Sequence, residues 1–69
     1  MNPKIFMFAK LSYGMVFEFY DYDNNLSIGD VVDLWYEKDR GGLGEEIVYG
    51  HARVKRILAK GHYEAIVLY

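Results

Sequence analysis

The sequence predicts an all-β protein, a small barrel of five mostly antiparallel strands. Apolar and polar residues alternate with a period of two over most of the chain, and helical spacing is almost absent. Short polar or glycine-containing segments separate the alternating runs, as in a set of hairpins. Because 69 residues are near the lower limit for one independent core, we expect residues 1–69 to form a single domain.

The first two strands are predicted on either side of Gly14. The run over residues 1–11 carries apolar side chains on both faces, with Ile5 and Phe6 pointing in opposite directions. The run over residues 15–22 is rich in aromatic residues, which favour pleated and half-buried positions. The polar segment 21–25 ends this strand as a turn, since Asp and Asn side chains bond their own backbone.

The third strand is predicted to begin at a tight turn formed by Gly29-Asp30. Glycine at such a turn supplies a positive φ angle that other residues disfavour. Over residues 30–37, Val32 and Leu34 alternate with Trp35, so we expect the aliphatic pair to face the core. Trp35 then lies on the less buried face.

The fourth strand is predicted over residues 45–58, after the glycine-rich loop 39–44. Gly50 and Ala52 are small, which indicates close passage of a neighbouring strand. Residues 59–62 form a turn, and residues 63–69 form the fifth strand. On the basis of strand parity, the predicted core consists of Val32, Leu34, Val48, Ala52, Val54 and Ile66.

Two expectations concern strand neighbours. No connection is long enough for a crossover helix, so parallel pairing is not expected. The fifth strand, residues 63–69, has large side chains on both faces and only Glu64 as a charged residue. We therefore expect this strand to lie at a sheet edge, where it would pair with a partner or with a second copy in a homodimer.

Five short strands of this kind are typical of SH3-like, OB-like and PUA-like barrels. The segment Ile28-Gly-Asp-Val-Val-Asp-Leu-Trp35, followed by Gly50-His-Ala-Arg-Val-Lys-Arg-Ile57, resembles the central strand pair of PUA-like and ASCH-like barrels. The resemblance covers residues 26–58 and implies a module that binds RNA or a modified base. Only Gly29 and Asp30 are carried over, as a turn, because the family's Gly-Lys-Lys-Thr-type segment and preceding helix are absent.

The charges are segregated along the chain, although the formal net charge is only −2. Residues 18–46 contain nine acids and two bases, whereas residues 51–62 contain four bases and no acid. A row of basic side chains beside an aromatic ring can bind the phosphates and bases of single-stranded nucleic acid. The first functional hypothesis is therefore an RNA-binding or single-stranded nucleic-acid-binding module that uses Tyr49, His51, Arg53, Lys55, Arg56 and Lys60. The alternative for this row is a solvated strand face whose charges are neutralised by acids on a neighbour.

The acidic half of the chain supports a second hypothesis. Several tyrosines and the single tryptophan alternate there with carboxylates, which would suit a protein partner, as in small accessory or inhibitor proteins of viruses and mobile elements. The candidate surface for this protein interaction consists of Tyr20, Tyr22, Asp33, Trp35 and Glu37.

The sequence contains no convincing catalytic, cofactor or metal signature, and we expect a non-enzymatic protein. Residues 21–25 copy the start of a calcium loop, but Leu26 replaces the glycine that such a loop requires. His51 and His62 stand without cysteines or regularly spaced carboxylates. Residues 41–44 resemble a phosphate-binding loop but lack its lysine and following helix.

The expected location is the cytoplasm. The chain contains no cysteine, which fits a reducing compartment. It has no signal-peptide pattern and no apolar run approaching 18 residues, so neither secretion nor a membrane span is expected.

Overall fold

The computed structural model describes residues 2–38 and 46–69, so the predicted glycine-rich loop 39–44 lies outside the described residues. The described part of the chain contains strands and turns but no helix, and hence no helix able to cross a membrane. The strands are β1 (Lys4–Leu11), β2 (Val16–Tyr20), β3 (Val31–Lys38), β4 (Ile47–Ala59) and β5 (His62–Val67).

The five strands form one mixed sheet in the order β1-β3-β4-β5-β2, curled into a half-barrel. β3, β4 and β5 make an antiparallel meander, and β2 joins its far side antiparallel to β5. The predicted all-β, five-stranded and mostly antiparallel architecture is confirmed. The barrel is open, because β1 and β2 form its two edges and do not pair with each other.

The expectation that parallel pairing is absent was wrong, since β1 runs parallel to β3. A parallel pair needs a long connection, and the usual one is a helix. Here residues 12–30 make that connection, and they include β2, which crosses to the opposite edge of the sheet. A strand and two loops thus take the place of the crossover helix.

The expectation that the last strand lies at an edge was also wrong. β5 is flanked by β4 on one side and by β2 on the other, so both sides of its backbone are paired. A homodimer therefore cannot form by pairing of β5 with a second copy, because neither side of its backbone is free.

The core lies on the inner face of the curled sheet. The predicted residues Val32, Leu34, Ala52 and Val54 are all fully buried there, and Val48 packs against them with partial exposure. The remaining members of the core come from β1, β2, β3, β5 and one loop: Ile5, Leu11, Phe17, Phe19, Leu26, Tyr36, Tyr63, Ala65 and Val67.

The placement of Ile66 in the core was wrong. On β5 the buried residues are Tyr63, Ala65 and Val67, whereas Ile66 lies on the outer face and is half-buried. Ile66 shares the outer face of this strand with His62 and Glu64, so the parity of the charged residue marks the outward set. The hydroxyl of Tyr63 adds a reason for its inward position, because it donates to the Asn24 carbonyl and accepts from the Leu26 amide, at 3.1 and 3.2 Å.

The Gly29-Asp30 turn forms as predicted and is tied to β4. Gly29 has a φ angle of +94°. Its amide donates to the Val54 carbonyl at 2.8 Å, and the Val54 amide donates to the Asp30 carbonyl at 2.9 Å. The Asp30 carboxylate also accepts from the Ser27 amide at 2.8 Å. The turn therefore fixes the start of β3 against the middle of β4.

Gly50 allows a close approach, as its small size predicted. A Cβ atom at this position would overlap the backbone carbonyl of Tyr69, which accepts a hydrogen bond from the His51 amide. The absent side chain thus lets residues 68 and 69 extend along β4 beyond the end of β5.

We expect Leu34→Ala to destabilise the protein by about 2–5 kcal/mol, because Leu34 is fully buried at the centre of the core. Urea unfolding followed by circular dichroism measures this change. Phe8→Ala is the control, since Phe8 is 90% exposed and its loss should cost less than about 0.5 kcal/mol. Equal unfolding midpoints for the two variants would contradict the assignment of the inner face.

We expect Gly29→Val to lower stability by about 1–2 kcal/mol, the cost of forcing a side chain into the left-handed region. A Cβ atom at Gly29 would meet no atom within 4 Å, so this penalty comes from the backbone rather than from a clash. Ser27→Ala should be nearly neutral, because only the backbone of Ser27 takes part in the turn. Equal melting temperatures for the two variants would show that the turn tolerates side chains.

Candidate functional site

The most prominent surface feature is a line of aromatic rings on the outer face of the sheet. Strand register brings Phe6 of β1 beside Trp35 of β3, and Trp35 beside Tyr49 of β4. His51, the next outer-face residue of β4, then meets Tyr69 near the end of the chain. We call these five residues the aromatic strip.

Neighbouring rings of the aromatic strip are in contact. Phe6 and Trp35 are stacked with ring centroids 5.0 Å apart, and Trp35 lies 4.8 Å from the tilted ring of Tyr49. Tyr49 meets His51 edge-on at 5.2 Å, and His51 lies 4.8 Å from Tyr69. Such contacts hold the rings in fixed positions.

The strip is also open to solvent. Phe6 is 62% exposed, Tyr49 53% and Tyr69 64%, while Trp35 is half-buried between its neighbours. The exposed Phe8 and Ile47 lie near one end of the same face. Contiguous exposed apolar surface is uncommon on a monomeric protein and marks sites of interaction.

His51 connects the strip to a carboxylate. Its Nε2 atom lies 3.3 Å from Oδ1 of Asp33 and 3.3 Å from the Tyr49 hydroxyl. Its Nδ1 atom is buried and has no hydrogen-bond partner in the described part of the chain. The contact with Asp33 requires a proton on Nε2, since the carboxylate only accepts. Partial burial and the nearby Asp33 carboxylate both raise the pKa of Tyr49.

The predicted basic row is only partly continuous. Tyr49, His51 and Arg53 follow one another on the outer face of β4, as parity predicted. A bulge then intervenes, with Lys55 as the extra residue, and Arg56 takes the outer-face position opposite Glu64. Lys60 lies in the turn after β4, at the far end of the strand from the aromatic strip.

Two members of the row face carboxylates on neighbouring strands. His51 meets Asp33 of β3, and Arg56 donates two hydrogen bonds to the Glu64 carboxylate, at 3.1 and 2.9 Å. Within residues 2–38 and 46–69, Arg53, Lys55 and Lys60 have no carboxylate at ion-pair distance. The free positive charge beside the strip is therefore that of Arg53 and Lys55.

The residues of the predicted acidic and aromatic surface fall into two clusters. Asp33, Trp35 and Glu37 share the outer face of β3 with the aromatic strip. Tyr20 and Tyr22 stack on each other at the opposite edge of the sheet, because β4 and β5 lie between β3 and β2.

The second cluster is completed by β5. The ring of Tyr20 stacks on His62, with centroids 4.3 Å apart, and Nε2 of His62 lies 2.8 Å from the Glu18 carboxylate.

Phe6 and Tyr69 were not among the candidate site residues. The alternation of β1 places Phe6 on the face opposite Ile5, but no local pattern shows that this face lies beside Trp35. Tyr69 reaches His51 through the extension past Gly50, which local alternation also does not reveal.

The calcium-loop segment has an internal role. Asp21 accepts hydrogen bonds from the amides of Asp23 and Asn24 and from the Asn24 side chain, at 3.0 to 3.1 Å. Its carboxylate thus holds the turn after β2. No group of three or more potential metal-binding side chains occurs within the described ranges.

Comparison with protein-family models, with curated proteins and with solved structures finds no match to this chain.

We expect Arg56→Gln to raise the pKa of Glu64, because the hydrogen bonds from Arg56 are the main cause of its lowered pKa. A lowered carboxylate pKa favours the folded state above the ordinary pKa of glutamate, and this benefit is lost as the pH falls through the lowered value. An NMR titration of the Glu64 side chain measures the shift. Lys55→Gln is the control and should change this pKa less, since Lys55 contributes only a weaker, through-space attraction. An unchanged Glu64 pKa in Arg56→Gln would show that the pair does not form in solution.

Proposed function

We propose that this protein binds single-stranded nucleic acid, RNA in particular, on the outer face of its sheet. The observation that carries the proposal is the aromatic strip, a fixed and exposed row of rings with free cations at its side. Of the six residues predicted from sequence, Tyr49, His51, Arg53 and Lys55 belong to this surface. Phe6, Trp35 and Tyr69 are added to it.

The rings supply the sequence-tolerant part of the interaction. Bases of single strands stack on aromatic side chains, and each such contact is worth about 1–3 kcal/mol. The outward surfaces of Phe6, Tyr49 and Tyr69 are the accessible ones, since Trp35 is enclosed by its two neighbours. The strip therefore offers a few stacking positions rather than one per ring.

The cations supply attraction to phosphate. Arg53 follows His51 on the same face of β4, and outer-face residues of one strand are about 7 Å apart. Lys55 is the bulge residue two positions further along β4, so Arg53 and Lys55 offer two neighbouring cations to the backbone of a strand whose bases lie on the rings. Arg56 and Lys60 are left out, because Arg56 is held by Glu64 and Lys60 lies in the distant turn.

The charge of the whole chain sets the expected strength of binding. With a formal net charge of −2, broad attraction to duplex DNA is not favoured, and binding must depend on the local combination of rings and cations. The resemblance of residues 26–58 to PUA-like and ASCH-like barrels suggests RNA independently, although the proposal does not need that resemblance.

We expect a fluorescently labelled twelve-nucleotide oligouridylate to bind at low ionic strength and to bind more weakly as salt approaches the physiological range. Two phosphate contacts give a shallow dependence, with a slope in log K against log salt of roughly −1.4 for a single strand. Anisotropy measures binding, and quenching of the single tryptophan, Trp35, reports contact with the strip. Absence of binding at low salt would overturn the proposal and would favour a protein partner for the aromatic strip.

Matched variants locate the interaction. Tyr49→Ala should weaken binding by about 1–3 kcal/mol, whereas Tyr13→Ala should leave it unchanged, since Tyr13 is exposed in the turn between β1 and β2. The pair Arg53→Glu with Lys55→Glu should abolish binding without lowering the melting temperature. Lys60→Glu is the charge control. A loss of binding equal in both charge variants would indicate attraction to the protein as a whole.

A further inference from the structure

The two edges of the half-barrel face each other across a cleft of about 850 Å³. One wall is β1 from Lys4 to Met7, and the other is β2 from Glu18 to Tyr20 together with the turn that follows it. We call this the edge cleft. It is separate from the nucleic-acid surface proposed above, except that Phe6 stands at the boundary of both.

On the side that faces the cleft, the backbone groups of both walls have no hydrogen-bond partner in a neighbouring strand. β1 pairs only with β3, and β2 pairs only with β5, within the described residues. Each wall therefore presents a row of N–H and C=O groups to the cleft, and unpaired edges of this kind accept an added strand. Because β1 and β2 run in opposite directions, a strand between them would be antiparallel to one and parallel to the other.

The side chains of the two walls require a bound segment in which apolar residues alternate with residues of another kind. Ile5, Met7 and Phe19 belong to the inner face, so side chains of an added strand that point inward must be apolar. Phe6 and Tyr20 flank the outer side, where residues of the opposite parity would emerge between aromatic rings.

The outer rim of the edge cleft favours positive charge. Glu18, Asp21 and Asp23 lie on the β2 side, against Lys4 alone on the β1 side. Glu18 is engaged with His62 and Asp21 with its own turn, while the Asp23 side chain is exposed and accepts no hydrogen bond from the described residues. A guanidinium between aromatic rings and carboxylates gains from both.

The volume of the edge cleft and its two walls determine what kind of peptide segment can bind there. A strand residue in a packed sheet occupies about 160 Å³, from a rise of 3.4 Å, a strand spacing of 4.8 Å and a sheet thickness of 10 Å. The cleft therefore has room for about five residues. An edge strand of a second folded copy already has a neighbour on one side, so it cannot lie between two walls.

We propose that the edge cleft binds an extended peptide segment in which arginine alternates with apolar residues, and that this segment completes the sheet as a sixth strand. The probe is the blocked pentapeptide Arg-Val-Arg-Val-Arg, and calorimetry measures its binding. Hydrogen exchange should show added protection of amides in residues 4–7 and 18–20, with no change at Trp35, Tyr49 and His51.

Two controls separate strand addition from attraction between charges. N-methylation of alternate peptide amides keeps the charge but removes donors, and it should weaken binding about tenfold if two backbone hydrogen bonds are lost. Asp23→Asn should weaken it roughly two- to fivefold, the range for one exposed ion pair, whereas Glu37→Gln on β3 should not change it.

Three outcomes would overturn the inference: no binding of the pentapeptide, equal binding of its N-methylated form, or protection of residues 4–7 and 18–20 by self-association without peptide. Each of these outcomes leaves oligonucleotide binding to be tested separately at Trp35, Tyr49, His51 and Tyr69, because Phe6 is the member of the aromatic strip that lines the edge cleft.

Discussion

The core of this protein is made by one face of one sheet, with Val32 and Leu34 of β3 lying opposite Ala52 and Gly50 of β4 at its centre. The small residues of β4 leave room for the larger ones that converge on them from the other strands, so the sheet can curl over its own side chains. Without a second layer or a disulfide, the apolar residues of the inner face must supply most of the stability.

This arrangement leaves the outer face and the two edges uncovered. The rings on the outer face pack against one another across β1, β3 and β4. The edges are separated because five strands do not complete the barrel. The two surfaces proposed as binding sites are thus the two places where a single curled sheet remains unfinished.

Local alternation was sufficient to predict the strands and, for β3, the direction of each side chain. The core prediction failed for β5, because Ile66 was assigned inward although it shares its face with Glu64. Local alternation could not predict the strand order, because the parallel pairing of β1 with β3 is determined by the path of the whole chain rather than by any segment.

The same limit applies to the candidate site. The alternation of residues along β4 placed Tyr49, His51 and Arg53 on one face. Only the pairing of β4 with its neighbouring strands shows that Asp33 lies opposite His51 and that Glu64 meets Arg56. Phe6 and Tyr69 enter the strip through neighbours distant in sequence. A bulge at Lys55 shifted the row by one residue, and such irregularities leave little trace in composition.

The pairing of the first two strands has a consequence for the order in which the chain folds. β1 pairs with β3, and β2 pairs with β5, whereas β3, β4 and β5 meet their neighbours in sequence. Contacts between distant segments form slowly, since a long loop must close before they contribute. We therefore expect the C-terminal meander to form the folding nucleus and the N-terminal strands to dock onto it last. On the ribosome, β2 emerges well before its partner β5, so the aromatic residues of β2 remain without their neighbours until residues 62–67 have been made and are the ones that a chaperone would meet.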